Sequence, residues 1–205
     1  MKLGTLCLGA AALVLVACQQ TKTTTTRQTP MTERESAVMI SAKEQARLTK
    51  FYDPAYVQLK YPGGDVPMER GVCADVIVRA LRAANIDLQK ELHEDMAKHF
   101  NKYPQNWGLR KPDRNIDHRR VLNLEVWFSR KGYSLPLSNK PSDFRAGDIV
   151  TWRLKDGRAH TGMVTNQFAN DGVTPLMVHN IGRGTQFEDV LFAWRMIGHY
   201  RVVKA

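Results

Sequence analysis

The period of the hydrophobic pattern changes partway along this chain, and the change limits the fold more than any other feature. Thr32 and Glu35 have capping-box spacing. They predict a helix running to about Thr49, with Val38, Ala42, Ala46 and Leu48 inward. Tyr61 to Gly71 carries two prolines and three glycines and reads as a loop. A second helix is expected from Cys73 to about Ala84, with Val76, Ile77, Ala80 and Leu81 on one face. Asp87 is placed to cap a third, in which Leu88, Leu92 and Met96 recur at a spacing of four. Asn123 is expected to cap a short helix that ends near Lys131 and is stopped by Gly132. From Asp148 onward the pattern shortens. Asp148 to Leu154, Thr161 to Asn166, Leu176 to His179 and Ile197 to Val203 are β-rich runs divided by turn residues. Helices first and strands later predict an α+β domain, N-terminal helices packed on a small antiparallel sheet.

The first residues belong to another kind of segment. Lys2 precedes an uncharged run of 14 residues, Leu3 to Val16. That is short of the roughly 20 apolar residues a spanning helix needs, and suits the core of a signal peptide. Leu15-Val16-Ala17-Cys18 resembles a lipobox. The resemblance implies cleavage before Cys18, acylation of that cysteine, and export to a lipid-anchored position. Gln19 and Gln20 follow, without the Asp that retains such proteins at the inner membrane, so the periplasmic face of the outer membrane is expected. The expected division is a signal peptide over 1–18, a Thr- and Gln-rich flexible tether over 19–31, and a single domain over 32–205. The net charge of +10 favours an anionic surrounding. Export argues against nucleic acid and leaves cell-wall polymers and lipid head groups.

Cysteine usage narrows the chemistry. Of three cysteines, Cys7 lies in the signal and Cys18 at its cut, so Cys73 is alone in the folded domain. A lone thiol in an oxidising compartment is either buried and inert or reactive for a reason. Cys73 opens a predicted helix directly after Arg70-Gly71-Val72. Free N–H groups and partial positive charge at a helix N-terminus favour a thiolate and a developing oxyanion. That placement favours a nucleophile.

A nucleophile of this kind needs a base. Among six histidines, His93 and His99 are spaced by six, which does not bring both to one helical face as a zinc helix requires. His160 follows the turn Lys155-Asp156-Gly157-Arg158 and opens a strand expected to pair with 148–154. His179 ends the next apolar strand, where its side chain is placed to reach the distal nitrogen of His160. Asn180 competes for that role. Alternation sends 179 and 180 to opposite faces, so only one serves. Lys102 to Arg120 is a long Pro-containing segment carrying Trp107, Arg110, Lys111, Arg114, Arg119 and Arg120. It reads equally as a groove for sugars and carboxylates or as a structural loop packed by Trp107. Gly182-Arg183-Gly184 reads as a plain turn before it reads as an anion nest.

These residues resemble the NlpC/P60 branch of the papain-like peptidases. Tyr61-Pro62-Gly63-Gly64 is similar to that family's Tyr-x-x-Gly-Gly loop, one residue shorter. Ala146-Gly147-Asp148 is similar to its strand entry, His160-Thr161-Gly162-Met163 to its His-Val-Gly-Ile strand, and Val178-His179 to its later strand ending in His. The resemblance implies Cys73 as nucleophile, His160 as base, His179 as orienting residue and Tyr61 near the oxyanion. Val72 and Ala74 stand where that family carries Asp and Ser, and Asp75 is expected to point away from Cys73. The activity class therefore transfers better than the bond specificity. The stretches GVCADV, WGLRKPDRNIDHRRVLNL, GDIVTW, HNIG and GHYRV also resemble the bacterial family called domain of unknown function 1287, over nearly all of Phe51 to Val203.

The expected function is a cell-envelope cysteine hydrolase of an amide or peptide bond in peptidoglycan, acting as a monomer without cofactor or metal. The competing readings are an acyltransferase using lipid or amine acceptors, and a wall-binding lipoprotein without catalysis.

Overall fold

A computed structural model describes Met1 and residues 30–203 of the chain. The signal segment with Cys18, and the tether as far as residue 29, lie outside the described residues. Met31 is half-buried against the core. Helix α1, Glu33–Leu48, starts from the expected capping box: the Glu35 N–H donates to Thr32 Oγ1 and the Thr32 N–H to Glu35 Oε2 at 2.7 Å. Its buried face is Val38, Met39, Ala42 and Gln45. The expected inward pair Ala46 and Leu48 is only half-buried. The stripe i, i+4, i+7 continues through Gln45, whose amide donates to the Val76 carbonyl.

Helix α2, Cys73–Arg82, is buried at every residue from Cys73 to Leu81. Helix α3, Leu88–His99, is capped by Asp87 and buries Leu88, Leu92 and Met96, as the spacing predicted. Helix α4, Val121–Arg130, begins two residues before the expected cap. Asn123 lies inside the helix and donates its amide back to the Asp117 carbonyl. Among the described residues no helix is long and apolar enough to cross a membrane.

Two residues on each side of the long loop pair in parallel: β1, Phe51–Tyr52, with β2, Arg70–Gly71. The main sheet contains β3 (Ile149–Arg153), β4 (Ala159–Phe168), β5 (Pro175–Asn180), β6 (Thr185–Glu188) and β7 (Arg195–Tyr200), in the order β6-β5-β4-β3-β7, antiparallel throughout. The mixed helix-and-sheet class is the one expected. Strand β6 was not expected, because Thr-Gln-Phe-Glu carries no apolar alternation. Its entry depends on Gly184, where a Cβ would come within 2.6 Å of the Thr49 carbonyl oxygen. The loop before β6 is therefore a close approach to the end of α1, and Arg183 pairs with Glu188 at 3.0 Å.

One face of the sheet meets the helices through Ile149, Met163 and Val178. The opposite face carries Val150, Trp152, Val164 and Met177, covered by Phe144 and Leu191. Strand alternation thus gives β4 and β5 two different faces, and the histidines lie on the second of them.

Candidate active site

Cys73 is set by the chain on both sides of it. Val72 is extended, and its N–H donates to Asp75 Oδ2 at 2.6 Å, which ends the loop and starts α2. Asp75, expected to point away from Cys73, has its partners elsewhere. Its carboxylate folds back over the helix start and takes two bonds from Arg119, each 2.9 Å, in a pair almost fully removed from water. Arg119 also donates to the carbonyls of Asp53 and Ala55. One buried guanidinium thus ties the strand after α1 to the helix that bears the cysteine. Arg119 belongs to the segment read equally as a groove or a structural loop, and the structure gives this residue an internal role.

The thiol is 6% exposed. Burial pushes it up to about 11, and the Asp75 charge adds to that; the N–H groups of Thr161, Ala74 and Cys73 itself act the other way. The helix N-terminus was expected to lower this value. Desolvation of the anion outweighs three N–H dipoles at a site this dry.

His160 is the second residue of β4, and Thr161, whose N–H reaches the sulfur, is the next. The imidazole is stacked on Trp152, with ring centroids 5.8 Å apart, and meets Trp194 edge-on at 5.5 Å. Its Nε2 is 2.8 Å from Nδ1 of His179. His179 is fully buried, and its Nε2 lies 3.0 Å from Glu188 Oε2, within hydrogen-bond distance though off the ideal angle. Gly162 allows a close approach: a Cβ there would sit 3.1 Å from that of His179 and 3.3 Å from the Trp152 ring. Burial lowers His160 to about 3, with His179 and Arg158 contributing. Burial lowers His179 as well, opposed by Glu188. Both rings are therefore neutral near pH 7.

The competitor Asn180 faces the other way, as alternation required. Its amide donates to the carbonyls of Gly71 at 3.0 Å and Phe51 at 3.3 Å, holding the small ladder against β5. Tyr61 does not reach the site. Its ring packs edge-on against His93 at 5.3 Å with Arg114 above it at 5.6 Å. The Pro-Gly-Gly loop is clamped to the start of α3, with Gly63 N–H donating to Asp87 and Gly64 N–H to Gln89. That clamp carries Tyr61 away.

Tyr52 is the tyrosine near the cysteine. It pairs with Gly71, two residues before the cysteine. Burial raises its hydroxyl, with Cys73 and Asp75 adding and Arg158 and Arg119 opposing. A two-residue strand leaves no periodic signal, so the sequence offered only an aromatic residue near a predicted helix end. Tyr52→Phe is expected to lower kcat on the order of 10²-fold, the size of a lost oxyanion donor. Tyr61→Phe is expected to leave kcat unchanged, and steady-state kinetics of the two variants side by side checks both.

Trp107 lies under the Arg120 guanidinium at 4.1 Å, and Arg120 pairs with Asp117 at 2.9 Å. Those contacts pack one part of the loop, while Arg110, Lys111 and Arg114 line a cavity with His93, so both readings of the segment keep support. Asp148 is also structural, accepting from Arg145 N–H, His199 and Arg201. Among the described residues no three His, Cys, Asp or Glu side chains are arranged to hold a metal ion.

The family model described as a domain of unknown function, DUF1287, matches residues 39–202, a span that includes all these residues from Tyr52 to Glu188. A relative from Escherichia coli strain K12, uncharacterized protein YijF, is 64% identical over 165 residues, covering 80% of this chain and 80% of the relative. Neither description states an activity.

Proposed function

Since the chain belongs to the DUF1287 family, whose description states no activity, we propose from its own residues that it is a papain-like, NlpC/P60-type cysteine hydrolase of amide or peptide bonds in peptidoglycan. The observation that carries the reading is the buried His160–His179 contact at 2.8 Å, on the strand whose next N–H meets the Cys73 sulfur. A binding module has no need of two neutral histidines hydrogen-bonded in a cage of tryptophans. The lipobox-like Leu15-Val16-Ala17-Cys18 supports export and a lipid anchor, which would hold the domain beside the cell wall.

In this reading the resting groups are a neutral thiol at the start of α2 and a neutral imidazole one residue before Thr161 on β4. His160 takes the thiol proton as sulfur attacks the carbonyl carbon, and the carbonyl oxygen becomes an oxyanion. The Cys73 N–H and the Tyr52 hydroxyl are the donors available to it. The imidazolium of His160 then protonates the leaving amine, and the thioester remains. Water, deprotonated by His160, attacks the thioester, releasing a carboxylic acid and the thiol. Exposed Phe51 and Ile181, on the two segments that Asn180 ties together, favour a second reading in which a lipid or amine acceptor replaces water.

A neutral pair has a characteristic pH profile. The base is lost only as His160 protonates near 3, and the thiol ionises only near 11. The expected kcat/KM is therefore flat from about pH 5 to about pH 9. A thiolate–imidazolium pair would instead lose activity on the alkaline side as its imidazolium deprotonates. The test is digestion of isolated peptidoglycan by the full chain, with and without hydroxylamine. New amine and carboxyl ends in equal amounts support hydrolysis, and products carrying the acceptor support acyl transfer. No product from either would remove the enzymatic reading.

A further inference from the structure

Strand β6 brings one carboxylate to the histidines. Met177 stands opposite Glu188 and His179 opposite Gln186, so Glu188 is the diagonal neighbour of His179 on the same face of the sheet. Its Oε2 is 3.0 Å from His179 Nε2, and its Oε1 is 3.0 Å from the Arg183 guanidinium. His179 is fully buried and His160 nearly so, which leaves no water to rescue a misplaced ring proton.

Proton counting then fixes the chain of bonds. A carboxylate only accepts, so the proton of His179 belongs on Nε2. A neutral ring with its proton on Nε2 presents a bare Nδ1. That nitrogen accepts from His160, whose proton must therefore sit on Nε2. We infer that Glu188 is a positioning residue: through His179 it sets the tautomer of His160 and leaves Nδ1 of His160 as the basic nitrogen. Without an acceptor at position 188 the preference reverses. A buried N–H at His179 Nε2 would be unsatisfied, so the proton moves to Nδ1 and is donated to His160 Nε2. The His160 proton then occupies Nδ1, and the base is blocked. The inference rests on the hydrolase reading only for its consequence in catalysis; the tautomers exist whether or not the protein turns over a substrate.

The experiment is nitrogen NMR of the full chain labelled in histidine, comparing wild type, Glu188→Gln and Glu188→Leu, with iodoacetamide alkylation of Cys73 measured on the same samples. Glutamine keeps an acceptor without the charge, and leucine removes the acceptor at similar volume. Wild type and Glu188→Gln are expected to show a bare Nδ1 on His160, and Glu188→Leu a protonated one. Alkylation is expected to fall about 100-fold in Glu188→Leu and to stay within about threefold in Glu188→Gln. A bare Nδ1 persisting in Glu188→Leu, or a protonated one in wild type or Glu188→Gln, overturns the inference. If the tautomers follow the expected pattern while alkylation is indifferent to His160→Gln, the relay stands and the hydrolase reading falls.

Discussion

Cys73→Ala is expected to lower kcat/KM on peptidoglycan by a factor on the order of 10⁴ or more while the protein stays folded. The size follows from what the sulfur does. In the proposed mechanism His160 and the oxyanion donors still bind and polarise the substrate in the variant, but no covalent intermediate can form. What remains is the residual catalysis that polar surroundings give when a nucleophile is deleted. The structural cost is small by comparison. Alanine fills most of the same volume, and the void is the size of one atom, worth about 1 kcal/mol. The N–H groups of Thr161 and Ala74 lose an acceptor that was weak to begin with. Digestion of peptidoglycan beside a thermal unfolding curve separates the two effects. Turnover retained in a folded Cys73→Ala protein would contradict the mechanism.

The second large effect concerns stability. Arg119→Met is expected to cost about 3–5 kcal/mol, because it strands the Asp75 carboxylate in the interior. For a domain of this size the midpoint should fall by roughly 10 °C. Arg119 contributes more than charge, since it also satisfies the carbonyls of Asp53 and Ala55. The double variant Asp75→Asn/Arg119→Met should recover much of the loss, because asparagine can still accept from the Val72 N–H and carries no charge. A thermal double-mutant cycle measures this, and strictly additive losses would show that the two side chains do not act as a pair. The same pair bears on chemistry, since the Asp75 charge helps to hold the thiol neutral. Asp75→Asn/Arg119→Met should therefore also lower the apparent pKa of Cys73.

Local physics made part of this site legible in the sequence. A cysteine at a predicted helix start, a histidine in a hairpin strand and a second histidine one strand later are all placed by periodicity. Alternation also separated His179 from Asn180 correctly, because a strand has only two faces. Long-range and dry features were not legible. Asp75 and Arg119 are far apart in sequence, and nothing local pairs them. Glu188 sits in a strand without apolar alternation, so neither the strand nor the side chain's direction could be read. Tyr61 matched a motif by spacing, yet the clamp of its loop on Asp87 and Gln89 carries it to α3, and Tyr52, paired with Gly71, is the tyrosine left near the cysteine. The thiol shows the same limit in its energetics. A helix N-terminus can be predicted from sequence, but the burial that outweighs it emerges only from the assembled core.

The central claim is that Cys73 and His160 act as one unit, and the rate of Cys73 alkylation against pH tests it most directly. Wild type is compared with His160→Gln, a substitution that fills the ring's space and can still hydrogen-bond to His179 but cannot take a proton. The expected result is a wild-type rate about 100-fold above the variant at pH 7 and flat to about pH 9, while the variant rate rises through that range because the thiol ionises only near 11. Equal rates across the whole range would contradict the claim: Cys73 would then be a buried structural thiol, and the domain a binding protein.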